Sequence, residues 1–297
     1  MLKNSYFCRP IYRIYKMIIC KNRLEIESVI REKKSQNLSI GFVPTMGALH
    51  KGHISLVEKS VAENDCTIVS IFVNPIQFNN PLDLQTYPRT LNQDVALLSS
   101  AGCAIVFIPE VEDMYPEGAQ VEESYSFNGI ENEMEGKFRP GHFNGVAVVV
   151  RRLFELIPAN SAYFGLKDFQ QLAIVKALVA KLQIPIQIVA CDIVRENDGL
   201  AMSSRNVRLL PQERLHAAQI SQTLFKAKEL QQTKSVTEVK KFVIDTINNV
   251  PLLSVEYFEI VDDTYLQIVN SWNENSNKVG CIAVNVGNVR LIDNIAF

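Results

Sequence analysis

The chain has 297 residues, 47% hydrophobic and 21% charged, with a formal net charge of −2. That balance argues against a disordered chain and leaves no whole-protein field to attract nucleic acid or anionic lipid, so anionic ligands must be held by local sites. Six scattered cysteines without a CxxC pair point away from a zinc site or a disulfide framework and towards a reducing cytoplasm, and no apolar run is long enough to span a membrane. In chain order, residues 1–16 come first, with Lys3, Arg9, Arg13 and Lys16 and no acid. They read as an extension ahead of a start at Met17, a targeting peptide being the alternative.

LSIGFVPTMG at 38–47 is a continuous apolar run ending in a Gly/Pro turn, the pattern of a parallel strand covered on both faces. HISLVEKSVAEN follows with helical spacing, then the β-branched run CTIVSIFVNP at 66–75, a helix over LNQDVALLSSAG, and a third strand in CAIVFIP. This alternation predicts an α/β fold, a Rossmann-like parallel sheet. The polar, Gly- and Pro-rich stretch 110–144 reads as loops or edge strands rather than core. GVAVVVRRLFELI predicts a helix, SAYFG a short strand, KDFQQLAIVKALVAKL a helix and IPIQIVACDIV another strand. Past residue 193 the texture changes. A helix start in LLPQERLHAAQ, two amphipathic helices and the strands SVEYFEIVD, GCIAVNVG and NVRLIDN, the last two as a hairpin, predict a smaller α+β domain. NSWNENSNK at 270–278 reads as a solvated loop. The expected division is thus 1–16 extension, 17–193 nucleotide-binding domain and 194–297 lid domain.

The chemistry concentrates in a few strings. PTMGALHKGHISL at 44–56 follows a strand and opens a helix, with His50 and His53 three apart at the helix mouth. Exposed backbone N–H groups there attract phosphate, Gly47 and Gly52 allow close approach, and the imidazoles can donate to the charge that builds up when the α-phosphorus of a nucleotide is attacked. Gln77 lies just past a strand end, where α/β folds bind ligands. Between a strand and a helix, Gly165-Leu166-Lys167-Asp168 offers close approach, a point charge and a cap or ribose contact. Met202-Ser203-Ser204-Arg205 supplies two hydroxyls and a guanidinium suited to β- and γ-phosphates. Asp94 is a candidate contact for Mg²⁺, and Arg139 and His142 are candidates for the cleft wall. Gln170 reads as a solvated surface amide.

The HxGH pattern resembles the signature of the class I nucleotidyltransferase superfamily. The longer string PTMGALHKGHISL, followed in order by FVNPIQF, YPRTLNQD, EGKFRPGHFNGV, FGLKDFQQL, RENDGLAMSSRN and RLIDN, is similar to the pantothenate synthetases from about residue 17 to the end. The resemblance implies ATP-dependent joining of pantoate to β-alanine through a pantoyl adenylate, by a cytoplasmic homodimer using Mg²⁺, with no nucleic acid or membrane partner. It assigns ATP contacts to Met46, Gly47, Ala48, Leu49, His50, Lys51, Gly52 and His53. Further ATP contacts fall on Gly165, Leu166, Lys167 and Asp168, on Val194 through its backbone, and on Met202, Ser203, Ser204 and Arg205. It assigns pantoate to Gln77 and Gln171, β-alanine to Gln77, and proton donation or phosphate polarisation to His53, supported by His50. Gln93 stands where the family often has a second acid, which weakens the metal assignment to Asp94. An adenylyltransferase that leaves AMP on its product and a non-catalytic nucleotide-binding module are the competing readings.

Overall fold

The structure, a computed structural model, describes residues 17–78, 80–118, 122–274 and 276–297, so the expected extension 1–16 lies outside the described residues. Six parallel strands form one sheet: β1 (Ile18–Cys20), β2 (Ile40–Thr45), β3 (Cys66–Ile71), β4 (Ile105–Phe107), β5 (Ser161–Gly165) and β6 (Gln187–Cys191), in spatial order β1-β4-β3-β2-β5-β6. The helices between them are α1 (Arg23–Ser35), α2 (Lys51–Glu63), α3 (Pro81–Thr86), α4 (Leu91–Ser100), α5 (Val111–Met114), α6 (Glu135–Phe138), α7 (His142–Leu156) and α8 (Phe169–Leu182).

Successive residues of β2 feed opposite faces of the sheet. Phe42 joins a core with Ile68, Phe107 and Phe154, while Val43 joins another with Val57, Val69 and Leu98. This double burial is why β2 and β3 read as unbroken apolar runs rather than alternating ones. From β2 the chain winds outward through β3 and β4, then returns to place β5 on the other side of β2. The order therefore reverses between β2 and β5, and a crevice opens at their carboxyl ends.

Beyond β6 come α9 (Pro211–Ala217), α10 (Gln219–Leu230) and α11 (Val236–Asn248), then an antiparallel sheet of β7 (Leu253–Asp262), β8 (Lys278–Val286) and β9 (Val289–Ala296). Helices α10 and α11 and this sheet share their own core around Leu224, Val243, Phe258 and Ile282. Val261, Val279 and Cys281 pack instead into the first core. The pairing of β7 with β8 slips between Val255 and Tyr257, which leaves Glu256 as a bulged residue. A bulge lets neighbouring side chains, which would otherwise alternate, turn to one side, and Glu256 and Tyr257 both reach the crevice.

Two expectations hold only in part. Among its described residues the stretch 110–144 is loop with α5, α6, a 3₁₀ turn and the start of α7, but it is not outside the core, since Met114, Tyr115, Phe127, Ile130 and Met134 are core residues. The segment 270–278 is mostly exposed loop among its described residues, but Trp272 lies tilted against Phe297 and donates to the carbonyl of Lys234, and Lys278 is buried at the start of β8. No helix among the described residues is long and apolar enough to cross a membrane.

Candidate active site

The turn leaving β2 is built from inside. Gly47 and Ala48 both have positive φ, +78° and +50°. A side chain at Gly47 would press on Asp94 and Ile71 at 3.1 Å. The turn is fixed by Asp94, which accepts from the Ala48 N–H (2.9 Å), the Leu49 N–H (2.8 Å) and the Thr90 hydroxyl (3.1 Å). Asp94 is 1% exposed. Beneath the turn this carboxylate, the expected metal contact, has a loop-holding role: its oxygens accept from two backbone amides and a hydroxyl.

His50 is the N-cap of α2. Its Nδ1 accepts from the Gly52 N–H at 3.1 Å, and His53 Nδ1 accepts from the His50 N–H at 3.3 Å, a reciprocal capping box made by two imidazoles. Both Nδ1 atoms act as acceptors, so the ring proton of each neutral imidazole sits on Nε2. Burial, then the charge of Lys167, pulls His50 down to about 4 against a weaker opposing pull from Asp168. Burial, then His50 and Lys167, holds His53 well below the usual imidazole range. Two neutral N–H donors, with ring centroids 4.1 Å apart, therefore stand at the helix mouth.

Met46, Gln77, Lys167, Asp168, Gln171, Ser203 and Arg205 line a single cleft of about 390 Å³ at the switch point. Ser204 donates to the carbonyl of Ala48 at 2.9 Å and so ties the serine loop to the β2 turn. Gly165 ends β5; Leu166, Lys167 and Asp168 form a 3₁₀ turn, and Asp168 occupies the N-cap position of α8 without a capping bond from its side chain. Lys51, Val194 and Met202 line a second depression of about 350 Å³, not the main cleft. Met202 lies close to the mouth of α2, 3.7 Å from where a side chain on Gly52 would begin.

Gln77 is 7% exposed and sits at the head of a chain of contacts. Its carbonyl side-chain oxygen accepts from Asn74, which in turn accepts from the Tyr115 hydroxyl, and its amide donates to Met46 Sδ. His142 Nδ1 donates to the Gln77 backbone carbonyl at 2.8 Å, because its Nε2 receives a hydrogen from Arg139 at 3.2 Å. Burial, then the Arg139 charge, lowers His142 to about 4, against the opposing effect of the Gln77 bond.

Several cleft residues escaped the sequence reading. Glu135 accepts from Arg290 Nη1 and Nη2 (2.9 and 2.7 Å), from the Tyr257 hydroxyl (2.9 Å) and, at 3.4 Å, from Arg139. Arg290 also reaches Glu256, so α6, β7 and β9 are tied at one point. Asp83 on α3 accepts from Arg205 at 2.8 Å and Arg208 at 3.2 Å. Burial pushes Asp83 up, but the two guanidinium groups outweigh it and leave it lowered. Gln170, expected at the surface, is 4% exposed: it donates to the carbonyls of Ile130 and Glu133 and accepts from the Glu135 N–H. Five cationic side chains and five carboxylates line the cleft. Four of its cations are already engaged by Glu135 or Asp83, so an incoming triphosphate would compete with carboxylates for them.

Residues 18–296 match the family model described as pantoate-beta-alanine ligase. The pantothenate synthetase of Bacteroides fragilis is 53% identical over 273 residues, covering 92% of this chain and 96% of that one. That of Flavobacterium psychrophilum is 50% identical over 281 residues, covering 94% and 99%. Among solved structures, the pantothenate synthetase of Thermus thermophilus matches with a TM-score of 0.87 at 40% identity, covering 94% of this chain and 99% of that one. The pantoate-beta-alanine ligase of Francisella tularensis, complexed with beta-gamma ATP and beta-alanine, matches with a TM-score of 0.78 at 37% identity, covering 95% and 98%.

Proposed function

The chain belongs to the pantoate–β-alanine ligase family, and from that premise we propose how its cleft carries out the family's reaction. The enzyme condenses pantoate with β-alanine at the expense of ATP. The pantoate carboxylate attacks the α-phosphorus, pyrophosphate leaves, and the mixed anhydride is pantoyl adenylate. The amine of β-alanine then attacks the acyl carbon, AMP departs with the carboxyl oxygen, and the amine gives up its proton as the amide forms. No protein nucleophile is required, so the work is positioning and charge stabilisation.

In this reading the Nε2–H groups of His53 and His50 donate to phosphate oxygens as negative charge moves towards pyrophosphate. Their neutrality makes them hydrogen-bond donors rather than cations. The backbone amides of Gly47, Ala48 and Leu49 and the mouth of α2 at Lys51 and Gly52 flank the phosphates. Lys167, Ser203, Ser204 and Arg205 take the remaining phosphate oxygens, Asp168 the ribose, and the Val194 backbone the adenine. Gln77 and Gln171 hold pantoate, and Gln77 also meets β-alanine. Mg²⁺ belongs with the triphosphate oxygens and water rather than with a protein carboxylate. Residues 194–297 act as the lid. A homodimer in the cytoplasm is the proposed setting, and the compartment is supported by five buried, free cysteines among the described residues.

The observation that carries the proposal is the common cleft lined by Met46, Gln77, Lys167, Gln171, Ser203 and Arg205. Incubation of the purified protein with ATP, Mg²⁺, pantoate and β-alanine tests it. Pantothenate and AMP in equal amounts, each dependent on every substrate, is the expected result; a stable adenylylated product, or ADP, would overturn it.

A further inference from the structure

The terminal string RLIDN has no role in the chemistry above, yet it touches two of the segments assigned to ATP. Asn294, on β9 opposite Cys281, is 6% exposed. A buried strand position is more cheaply filled by a β-branched apolar residue, and an amide there is tolerated only when its hydrogen bonds are made. Both hydrogens of its Nδ2 are used: one goes to the carbonyl of Leu166 at 2.8 Å, the other to the carbonyl of Lys167 at 2.9 Å. Its neighbour Asp293 is 4% exposed and makes a two-point pair with Arg195, at 2.6 and 3.0 Å. Arg195 continues to the Gly199 carbonyl at 3.1 Å, at the base of the loop that carries Ser203, Ser204 and Arg205.

We propose that Asn294 is a positioning residue for ATP, fixing the backbone from which Lys167 reaches the triphosphate. The proposal rests on the reading of the cleft given above. A lysine ammonium rides on a flexible four-carbon stem, so its aim depends on how well its own Cα is held. At the other end of the turn Gly165 is held only through its backbone, in the pairing of β5 with β6, and has no side chain to pack. Asn294 supplies an anchor through main-chain carbonyls and makes no bond to the Lys167 ammonium, which meets the carboxylate of Asp168 at 3.4 Å.

The test is Asn294→Ala in the full chain, read as pantoate-dependent ATP–pyrophosphate exchange and as overall amide synthesis. Loss of two hydrogen bonds to a substrate-binding turn should raise KM for ATP roughly tenfold, while KM for β-alanine stays within about twofold. In a Lys167→Ala background the same substitution should change KM for ATP by less than about threefold, because the group it positions is gone. Should Asn294→Ala lose its fold, Asn294→Asp keeps the shape while facing the two carbonyls with an acceptor, and the same split is expected. An unchanged KM for ATP, an equal rise for β-alanine, or full additivity with Lys167→Ala would overturn the proposal. Failure of the native protein to make pantothenate and AMP would instead sink the activity reading, so the two failures are distinguishable.

Discussion

Glu135→Gln should destabilise the fold by about 3 kcal/mol, because it breaks the buried ion cluster that joins α6 to the C-terminal sheet. The figure can be reached from two directions. Glu135 is buried and accepts four hydrogen bonds from Arg290, Tyr257 and Arg139. Removing one partner of such a cluster leaves guanidinium charge uncompensated, at a cost of about 3–5 kcal/mol, and the bond Arg290 keeps to Glu256 places this case at the low end. Independently, burial would push the carboxyl up, but the bonds and charge of Arg290, with Arg139 and Tyr257, reverse this and hold it at about 2 against an ordinary 4.5. That difference corresponds to about 3 kcal/mol of linkage. The sign follows from proton uptake: below 4.5 the unfolded chain takes a proton that the folded one refuses until about 2. The stabilisation is therefore complete above 4.5 and is lost as pH falls towards 2. Denaturant unfolding of both proteins across this range is the assay. The gap between them should be largest at neutral pH and narrow as pH falls from about 5 to 3. A gap under about 1 kcal/mol at pH 7, or one independent of pH, would refute the reasoning.

Three further outcomes follow from the cleft. The depressed His50, at about 4, and His53, held well below the usual imidazole range, should leave pantoate-dependent adenylate formation flat through pH 6.5, with a fall only towards 4; a rate that halves near 6.5 would show that an ordinary imidazole controls it. Asp94→Asn should weaken the β2 turn and lower turnover while leaving the Mg²⁺ concentration at half-maximal rate unchanged, and a marked rise in that concentration would return Asp94 to the metal. Asp83→Asn removes a carboxylate that competes for Arg205 and Arg208; the pairs are partly exposed and worth about 1 kcal/mol, so KM for ATP should fall by up to about fivefold. A tenfold rise would mean that Asp83 orients the arginines instead.

The central strands of the parallel sheet were legible because they are covered on both faces: IGFVPT and CTIVSI are buried nearly throughout. The short edge strand β1, with Ile18 and Ile19 exposed, carries no such run and was not read. The mouth of α2 was legible because Gly47, His50, Gly52 and His53 act through local geometry. Less could be read where a side chain's surroundings come from far along the chain. Glu135 lies in a polar stretch that reads as loop, and its burial is decided by Arg290, 155 residues away. Gln170 is indistinguishable in sequence from its neighbour Gln171 and lines the same cleft, yet its amide is taken up by the 130–135 segment. Asp94 falls in the first turn of α4, where an exposed acid would suit the helix dipole equally well. Only the fold of the β2 turn over it reveals that its oxygens are taken. Asp83 likewise sits on a short helix without buried residues, and its partners lie more than a hundred positions downstream.

Carboxyl activation at the switch-point cleft is tested most directly by exchange of labelled pyrophosphate into ATP in the absence of β-alanine. Exchange that appears only when pantoate is added, and that drops by about 10²–10³-fold in His53→Ala, is the predicted result. Exchange without pantoate, or at an undiminished rate in His53→Ala, would contradict it.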